Sequence, residues 1–321
     1  MSGGATADPS PVVRAVFFGS GSFAVPILDS LLGIPSVRVD AVVSAPDRPV
    51  GRKAILTPTP VAARARELGL PLLQPIRVRR PEFVAGLTAI APDLIVLADY
   101  GQLIPRALLD LPPRGFLNLH PSALPRHRGA APIPATILAG DADSAVSLIV
   151  LAEEMDAGPI VAVEPLEVRP DDTAVTLEER AASTAARLLA RALPEWLAWR
   201  IQARPQAAAG MTLTRPLRRE DGRLNLLGDA LQLERRVRAY QPWPGSFIET
   251  SAGRLVVWRA AVCPSEPGDE PEQLVTHGNG LALATAGGRL RLDEVQLAGR
   301  GRVTGADLRR GYPGLLGKLP G

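Results

Sequence analysis

The chain alternates short apolar runs with segments of helical spacing over its first two-thirds. Residues 14–19 (A-V-F-F at their centre), 37–44 (V-R-V-D-A-V-V-S), 71–74, 94–98, 116–120 and 145–151 read as strands. Between them, 25–32, 61–68 and 81–90 read as helices, and a further helix opens at Gly129 and the alanines after it. Strands alternating with helices predict an α/β fold with a doubly wound, mostly parallel sheet. Residues 45–60, rich in proline and basic side chains, read as a loop. From 173 to 199 leucine and alanine recur at helical spacing, and Trp196 and Trp199, three apart, are expected on one face. A polar stretch follows. After a helix at 231–238, short strands at 246–250, 254–262, 281–285 and 289–295 are separated by glycine-rich turns, which predicts a small β-barrel. Thr304 is placed to cap a last helix at 303–310. The division expected is a disordered tail at 1–12, an α/β domain at 13–203, a linker at 204–216 and the barrel domain at 217–321.

Composition narrows the chemistry. The 321 residues are 46% hydrophobic, enough for two cores. No apolar run is long and uncharged enough to span a membrane, and the start, M-S-G-G-A-T-A-D-P-S, lacks the features of a signal peptide. Cys263 is the single cysteine, and the histidines are His120, His127 and His277, so no metal site is expected. A reducing cytoplasm fits. The net charge of +3 is mildly basic, and Lys53 and Lys318 are the only lysines, so phosphate contacts would fall to arginine.

Asn118 and His120 lie two apart in a strand and therefore face the same side. Pro121 and Pro125 stiffen the loop that follows, and Arg126, His127 and Arg128 are expected to crowd its mouth. Asp156, in E-E-M-D-A-G-P-I, follows the 145–151 strand and can hold one ring nitrogen of His120. An amide donor, an imidazole and a carboxylate suit acyl transfer to an amine, with no serine or cysteine nucleophile. The structural alternative is a turn-capping Asn118 and a core His120. Near the N-terminus, G-S-G-S-F-A (residues 19–24) fits the dinucleotide fingerprint G-x-G-x-x-A, with Asp40 near the ribose-binding spacing. Asp40 sits inside its strand, not at its end, so a tight strand-to-helix turn is the preferred reading.

N-L-H-P-S-A-L-P-R-H-R-G-A-A-P-I (residues 118–133) closely resembles the signature of the 10-formyltetrahydrofolate-dependent formyltransferases. F-F-G-S-G-S-F-A-V-P-I-L, P-D-R-P-V-G-R, D-Y-G-Q-L-I-P and R-A-Y-Q-P-W-P-G-S are similar to further blocks of that family, so the resemblance runs over nearly the whole chain. It implies Asn118, His120 and Asp156 as catalytic residues. It implies a folate pocket bordered by Ser122, Ala123, Leu124 and Pro125 and by the turn at Tyr100 and Gly101. Ala123 replaces a common leucine. Asp99 replaces a small residue common in the family, either to contact ligand polar atoms or to point to solvent. Tyr100 is expected near the pocket or in the core. Within the family the chain looks most like the members acting on initiator methionyl-tRNA. That implies 10-formyltetrahydrofolate as cosubstrate, no metal, a cytoplasmic monomer, an OB-type barrel, and tRNA contacts from Arg52, Lys53, Arg215 and Arg218. The family's G-R-G-K-K is only G-R-K-A-I here, and Pro216 and Asn225-Leu226 also depart from its pattern. An amino-sugar nucleotide or water as formyl acceptor, or an RNA-binding module with a vestigial catalytic domain, are the alternatives.

Overall fold

The structure is a computed structural model, and it describes residues 12–51 and 53–320. The expected tail falls almost wholly outside the described residues. The chain forms two compact units. The first runs up to Gly129 and adds Ser144–Leu166 and Glu178–Leu213; the second takes Ala130–Asp143, Glu167–Leu177 and the chain from Thr214 onward.

In chain order the elements of the first two-thirds are β1 (Val13–Gly19), α1 (Val25–Leu32), β2 (Val37–Val43), β3 (Arg48–Val50), β4 (Ile55–Thr57), α2 (Pro60–Glu67), β5 (Leu72–Leu73), α3 (Pro81–Ile90), β6 (Leu94–Ala98), α4 (Arg106–Leu109), β7 (Phe116–His120), the two-residue β8 (Arg128–Gly129), α5 (Pro132–Ala139), β9 (Asp143–Val150), β10 (Ile160–Glu167) and α6 (Ala174–Leu197). The sheet of the first unit has the order β10-β9-β7-β6-β1-β2-β5. β1 pairs in parallel with both β2 and β6, and β6 with β7. Since the chain moves outward from β1 to β2 and β5 and then returns to β6 on the other side, the strand order reverses at β1 and β6. Ligands of open α/β sheets bind outside the strand ends at such a reversal.

The apolar runs are solid because these strands are covered on both faces. Ala15 to Phe18 and Leu94 to Val96 are fully buried. Phe18 makes edge contacts with Tyr100 (centroids 5.3 Å apart) and Phe83 (6.4 Å). Gly19 is required here: a Cβ on it would come within 2.7 Å of the Phe17 ring and 2.9 Å of Ala24. The fingerprint-like turn is therefore a packing device, and Asp40 is committed to Arg14 (2.8 Å) and Arg38 (2.7 Å). Both oxygens of the residue that would have held a ribose are taken.

Three local expectations change. Residues 45–60 are not an irregular loop: β3 and β4 form a small antiparallel hairpin, Arg48 opposite Thr57. Its six residues are all exposed, so no burial alternation marked them as strands. The helix expected at Gly129 begins at Pro132, where a residue without a free N–H suits the first turn. Trp196 and Trp199 do not share a helix face. Trp196 donates from Nε1 to the Arg114 carbonyl (2.7 Å), whereas Trp199 lies past the helix end at φ 60° and carries the Arg114 guanidinium 5.0 Å from its ring centroid.

After β11 (Leu213–Thr214), at which the chain passes from the first unit to the second, come α7 (Ala230–Ala239), β12 (Ser246–Thr250), β13 (Gly253–Cys263), β14 (Gln273–His277), β15 (Gly280–Thr285), β16 (Gly288–Leu297), β17 (Val303–Thr304), α8 (Gly305–Gly311) and β18 (Gly317–Lys318) of the second unit. Its antiparallel sheet has the order β12-β13-β16-β15-β14-β18, with β17 on β16, an arrangement that fits an OB-like half-barrel. Leu255, Val257, Leu283, Leu290 and Val295 fill its inner face with Leu233 and Val237 of α7 and Leu308 of α8. Burying each such side chain contributes about 1.5–3 kcal/mol. Thr304 caps α8 as expected, accepting from the Asp307 N–H at 3.1 Å.

Arg289 is a charged group deep in this unit. Arg289 is 4% exposed; its Nε and Nη2 bond the two oxygens of Asp269 at 2.6 and 2.5 Å, and its Nη1 lies 2.5 Å from Glu266 Oε1. The Arg289 hydrogen bonds hold the Asp269 carboxyl below the usual carboxylate range.

Candidate active site

β7 delivers two polar side chains into the first unit. Asn118 and His120 are each 5% exposed. Asp156, 8% exposed, meets both. Asn118 Nδ2 donates to Asp156 Oδ1 at 3.2 Å, and His120 Nδ1 lies 3.5 Å from Asp156 Oδ2. The backbone N–H of Gly129 donates to the same Oδ2 at 2.8 Å. The three residues named from the sequence are thus one buried cluster.

The route by which Asp156 arrives is not the expected one. β9 runs antiparallel to β7, with Val150 opposite Leu117, so its end lies beside the beginning of β7. The chain must turn back to reach Asn118. Leu151 N donates to Phe116 O (2.6 Å) and Val150 N to Pro159 O (2.9 Å), which closes the loop at its neck. Gly158 fits because a Cβ there would strike the Val150 carbonyl at 1.8 Å. Asp156 itself takes φ 50°, a left-handed conformation that aspartate tolerates better than most side chains.

The division of labour also differs from the expectation that Asp156 chiefly holds His120. Its short bond is to the Gly129 N–H, and its contact with the imidazole is long for a hydrogen bond. His120 Nε2 instead faces the His127 carbonyl at 3.0 Å. A carbonyl oxygen only accepts, so this partner favours the tautomer with hydrogen on Nε2 and leaves Nδ1 on the Asp156 side. Asn118 spends one amide hydrogen on Asp156 and has a second on the same nitrogen.

The loop after β7 is rigid. Ser122 Oγ donates to the Arg126 carbonyl (2.7 Å), and Ser147 Oγ donates to the Ser122 carbonyl (2.8 Å) while accepting from Leu124 N (3.3 Å). His127 and Arg128, expected to crowd the mouth, are buried; Arg126 alone of the three is exposed. His127 N donates to Thr212 Oγ1 (2.8 Å). Arg128 Nε and Nη2 bond Gln206 Oε1 (3.0 and 2.7 Å), and Gln206 Nε2 donates to the carbonyls of Asp156 (2.7 Å) and Gly158 (2.8 Å). Gln206 and Thr212 were not foreseen. Both come from the polar stretch after α6, and nothing in their local sequence marks a partner some fifty to ninety residues away.

Of the folate-pocket residues expected, Ser122 is fully buried and Leu124 nearly so, while Ala123 and Pro125 keep partial exposure. Gly101 is open, with nothing within 4 Å of a Cβ built on it. The Tyr100 ring faces inward, against Phe18, and its hydroxyl accepts from Gln102 Nε2 at 3.4 Å. Burial pushes the phenol well above its usual range. Asp99 is exposed, at φ 47°, and its carboxylate lies over Gly21.

Among the residues expected at tRNA, Arg52 lies outside the described residues. Lys53 is exposed at the tip of the β3–β4 hairpin, next to Ile55 and Leu56, which are 62% and 65% exposed. The hairpin foot is tied down: Asp47 accepts from Gln74 (2.8 Å) and Arg66 (2.9 Å), and these bonds, Gln74's first, hold its carboxyl below the usual range. In the second unit Arg215 grips Asp221 with two bonds of 2.7 and 2.5 Å, while Arg218 is exposed. The Arg215 bonds drive the Asp221 carboxyl down to about 2.

Among the described residues no group of three or more histidine, cysteine, aspartate or glutamate side chains could hold a metal ion, and no helix is long and apolar enough to cross a membrane. A methionyl-tRNA formyltransferase of Thermus thermophilus is 43% identical over 94% of this chain and 96% of its own. One of Chloroflexus aggregans is 39% identical over 92% and 96%. Among solved structures, WlaRD, described as a sugar 3N-formyl transferase in the presence of dTDP and 5-N-formyl-THF, superposes with a TM-score of 0.67 over 91% of this chain and all of its own, at 13% identity. The profile of the formyl transferase family matches residues 13–193, which include Asn118, His120 and Asp156, and that of the formyl transferase C-terminal domain matches residues 216–313. With both profiles in sequence and relatives alike along almost its full length, the chain belongs to the formyl transferase family.

Proposed function

We propose that this enzyme moves the formyl group of 10-formyltetrahydrofolate to the α-amino group of methionine on initiator tRNA. The observation that carries the proposal is the buried Asn118–His120–Asp156 cluster in a chain 43% identical to a methionyl-tRNA formyltransferase. The lone pair of the neutral amine attacks the formyl carbon. The formyl oxygen gains negative charge, and the unspent hydrogen of Asn118 Nδ2 stabilises it, an effect worth about 3–4 kcal/mol for comparable oxyanion donors. His120 accepts the proton from the attacking nitrogen and returns it to N10 of the departing folate. The products are the N-formyl aminoacyl-tRNA and tetrahydrofolate. Asp156 orients Asn118 and holds a negative charge beside His120 Nδ1.

The loop at Ser122 to Pro125 and the open turn at Gly101 border the folate. Ser122 acts from inside, since its hydroxyl is committed to the loop backbone; Ala123 and Pro125 offer the apolar contacts, and Tyr100 supports the turn from the core. Lys53 and Arg218 contact tRNA phosphates, joined by Arg52. Arg215 acts there while held by Asp221. The enzyme works as a cytoplasmic monomer, with a catalytic domain at 13–203 joined through 204–216 to the tRNA-contacting domain at 217–321.

The test is formyl transfer to methionyl initiator tRNA by wild type and His120→Ala in parallel. The variant is expected to be slower by about a hundredfold or more. Wild type that formylates only an amino-sugar nucleotide, or releases only formate, overturns the acceptor assignment. RNA binding with no turnover overturns the enzyme assignment.

A further inference from the structure

The imidazole of the cluster leans on one backbone carbonyl, and the residue that aims this carbonyl lies outside the cluster. His120 Nε2 faces the His127 carbonyl at 3.0 Å. That contact decides which ring nitrogen keeps the hydrogen, since a carbonyl only accepts. On the other side of the ring Nδ1 has Asp156 Oδ2 at 3.5 Å, an acceptor ready to take the hydrogen if the carbonyl turns away.

Thr212 grips His127 from both sides. On the amino side, His127 N donates to Thr212 Oγ1 at 2.8 Å. On the carboxyl side, Arg128 N donates to Thr212 O at 3.0 Å. The His127 C=O and the Arg128 N–H belong to one planar trans peptide and point in opposite directions. Drawing that N–H onto Thr212 therefore turns the carbonyl towards His120. The grip has work to do, because His127 takes φ 56°, a left-handed conformation that a residue with a Cβ adopts rarely. Ser122 fixes the peptide before it, through the Arg126 carbonyl at 2.7 Å. Thr212 is itself exposed, its hydroxyl also meets His127 Nδ1 at 3.3 Å, and it belongs to the first unit with the cluster.

Resting on the formyl-transfer reading, we infer that Thr212 is a positioning residue for His120: through the aim of the His127 carbonyl it holds the ring hydrogen on Nε2 and keeps Nδ1 as the basic nitrogen. Without the hydroxyl, His127 N loses this acceptor and the loop resettles to find another. The hydrogen of His120 then passes in part to Nδ1, where Asp156 accepts it. A ring that divides its hydrogen between two nitrogens is the right base only part of the time, so turnover slows while substrate binding is untouched.

The experiment pairs a spectrum with kinetics on the full chain. Nitrogen NMR of histidine-labelled protein is recorded in alkaline buffer, where imidazoles are neutral, and the His120 signals are assigned by their loss in His120→Ala. Wild type is expected to show the hydrogen on Nε2. Thr212→Val and Thr212→Ala, which remove the hydroxyl, should each give a mixture with the Nδ1–H form and lower kcat by about tenfold at unchanged KM, the scale of a small displacement at a reacting centre. Thr212→Ser, which keeps the hydroxyl, should return both readings to wild type. An unchanged His120 tautomer in Thr212→Val and Thr212→Ala overturns the inference even where kcat falls, since the role is then only structural. A shifted tautomer with unchanged kcat overturns it too, as does a wild-type ring with its hydrogen on Nδ1. The spectrum needs no substrate. Wild type that formylates only an amino-sugar nucleotide therefore removes the acceptor assignment alone, and the tautomer with kcat on that acceptor decides the role of Thr212.

Discussion

Two buried polar clusters, one in each unit, make opposite use of the same chemistry. Arg289 is matched in charge: its Nε and Nη2 close on Asp269, its Nη1 stands in an ion pair with Glu266, and it ties the 266–269 turn to β16. The Asn118–His120–Asp156 cluster is deliberately incomplete, with an amide hydrogen left over and a long imidazole–carboxylate contact. A closed cluster contributes stability and can do nothing else. An open one carries unspent bonding capacity that a reacting group can take up.

Substitutions separate the two. The largest effect is expected from Asn118→Ala, which on the proposed mechanism should lower kcat by about 10²–10³ with little change in melting temperature, because it removes the donor assigned to the oxyanion. Steady-state formylation checks the rate, and a thermal melt checks the fold. Next is Arg289→Ala, which should destabilise the second unit by about 2–3 kcal/mol, since two acidic groups lose their cation. Urea unfolding measures it, and kcat of the folded fraction should be unchanged. A large loss of kcat there would dissolve the distinction. Gln206→Ala should give an intermediate result, a roughly tenfold lower kcat, because the Asp156 backbone loses its clamp and a small displacement at a reacting centre is costly.

The smallest effect concerns acid. The Asp221 carboxyl is depressed to about 2 by Arg215, so the folded state favours its charged form. The stability it contributes is present above the unfolded value near 3.8 and is lost as pH falls from about 4 towards 2. Arg215→Ala should flatten the melting temperature against pH in that window and lower it slightly near neutrality, where the lost ion pair was fully formed. A profile parallel to wild type would show that Asp221 is held by other groups.

The α/β order and the antiparallel C-terminal sheet were legible because buried strands are written as solid apolar runs and barrel strands as short ones between glycines. β10 was missed. Pro165 argues against a strand in I-V-A-V-E-P-L-E, yet β10 is an edge strand, where a missing N–H is tolerated. The β3–β4 hairpin was invisible for the opposite reason, having no buried side to give it a period. Asn118 and His120 could be read from two positions in one strand. Asp156 could be named but its approach could not, since an antiparallel β9 is not encoded in its own pattern. Gln206 joins through backbone carbonyls, which any sequence supplies. Asp99 looked like a choice between solvent and ligand; its place over Gly21 depends on a register between strands nearly eighty residues apart.

The closed neck of the 151–159 loop has a consequence for how such chains can change length. Because Leu151 is bonded to Phe116 and Val150 to Pro159, the residues between are a fixed span from sheet to carboxylate. One residue added or lost there would move Asp156 by about 3.5 Å, farther than any of its bonds can stretch. Insertions and deletions should therefore be excluded between Val150 and Pro159. They should collect instead at exposed tips such as Gly51, where nothing lies within 4 Å of an added Cβ and no functional side chain is positioned.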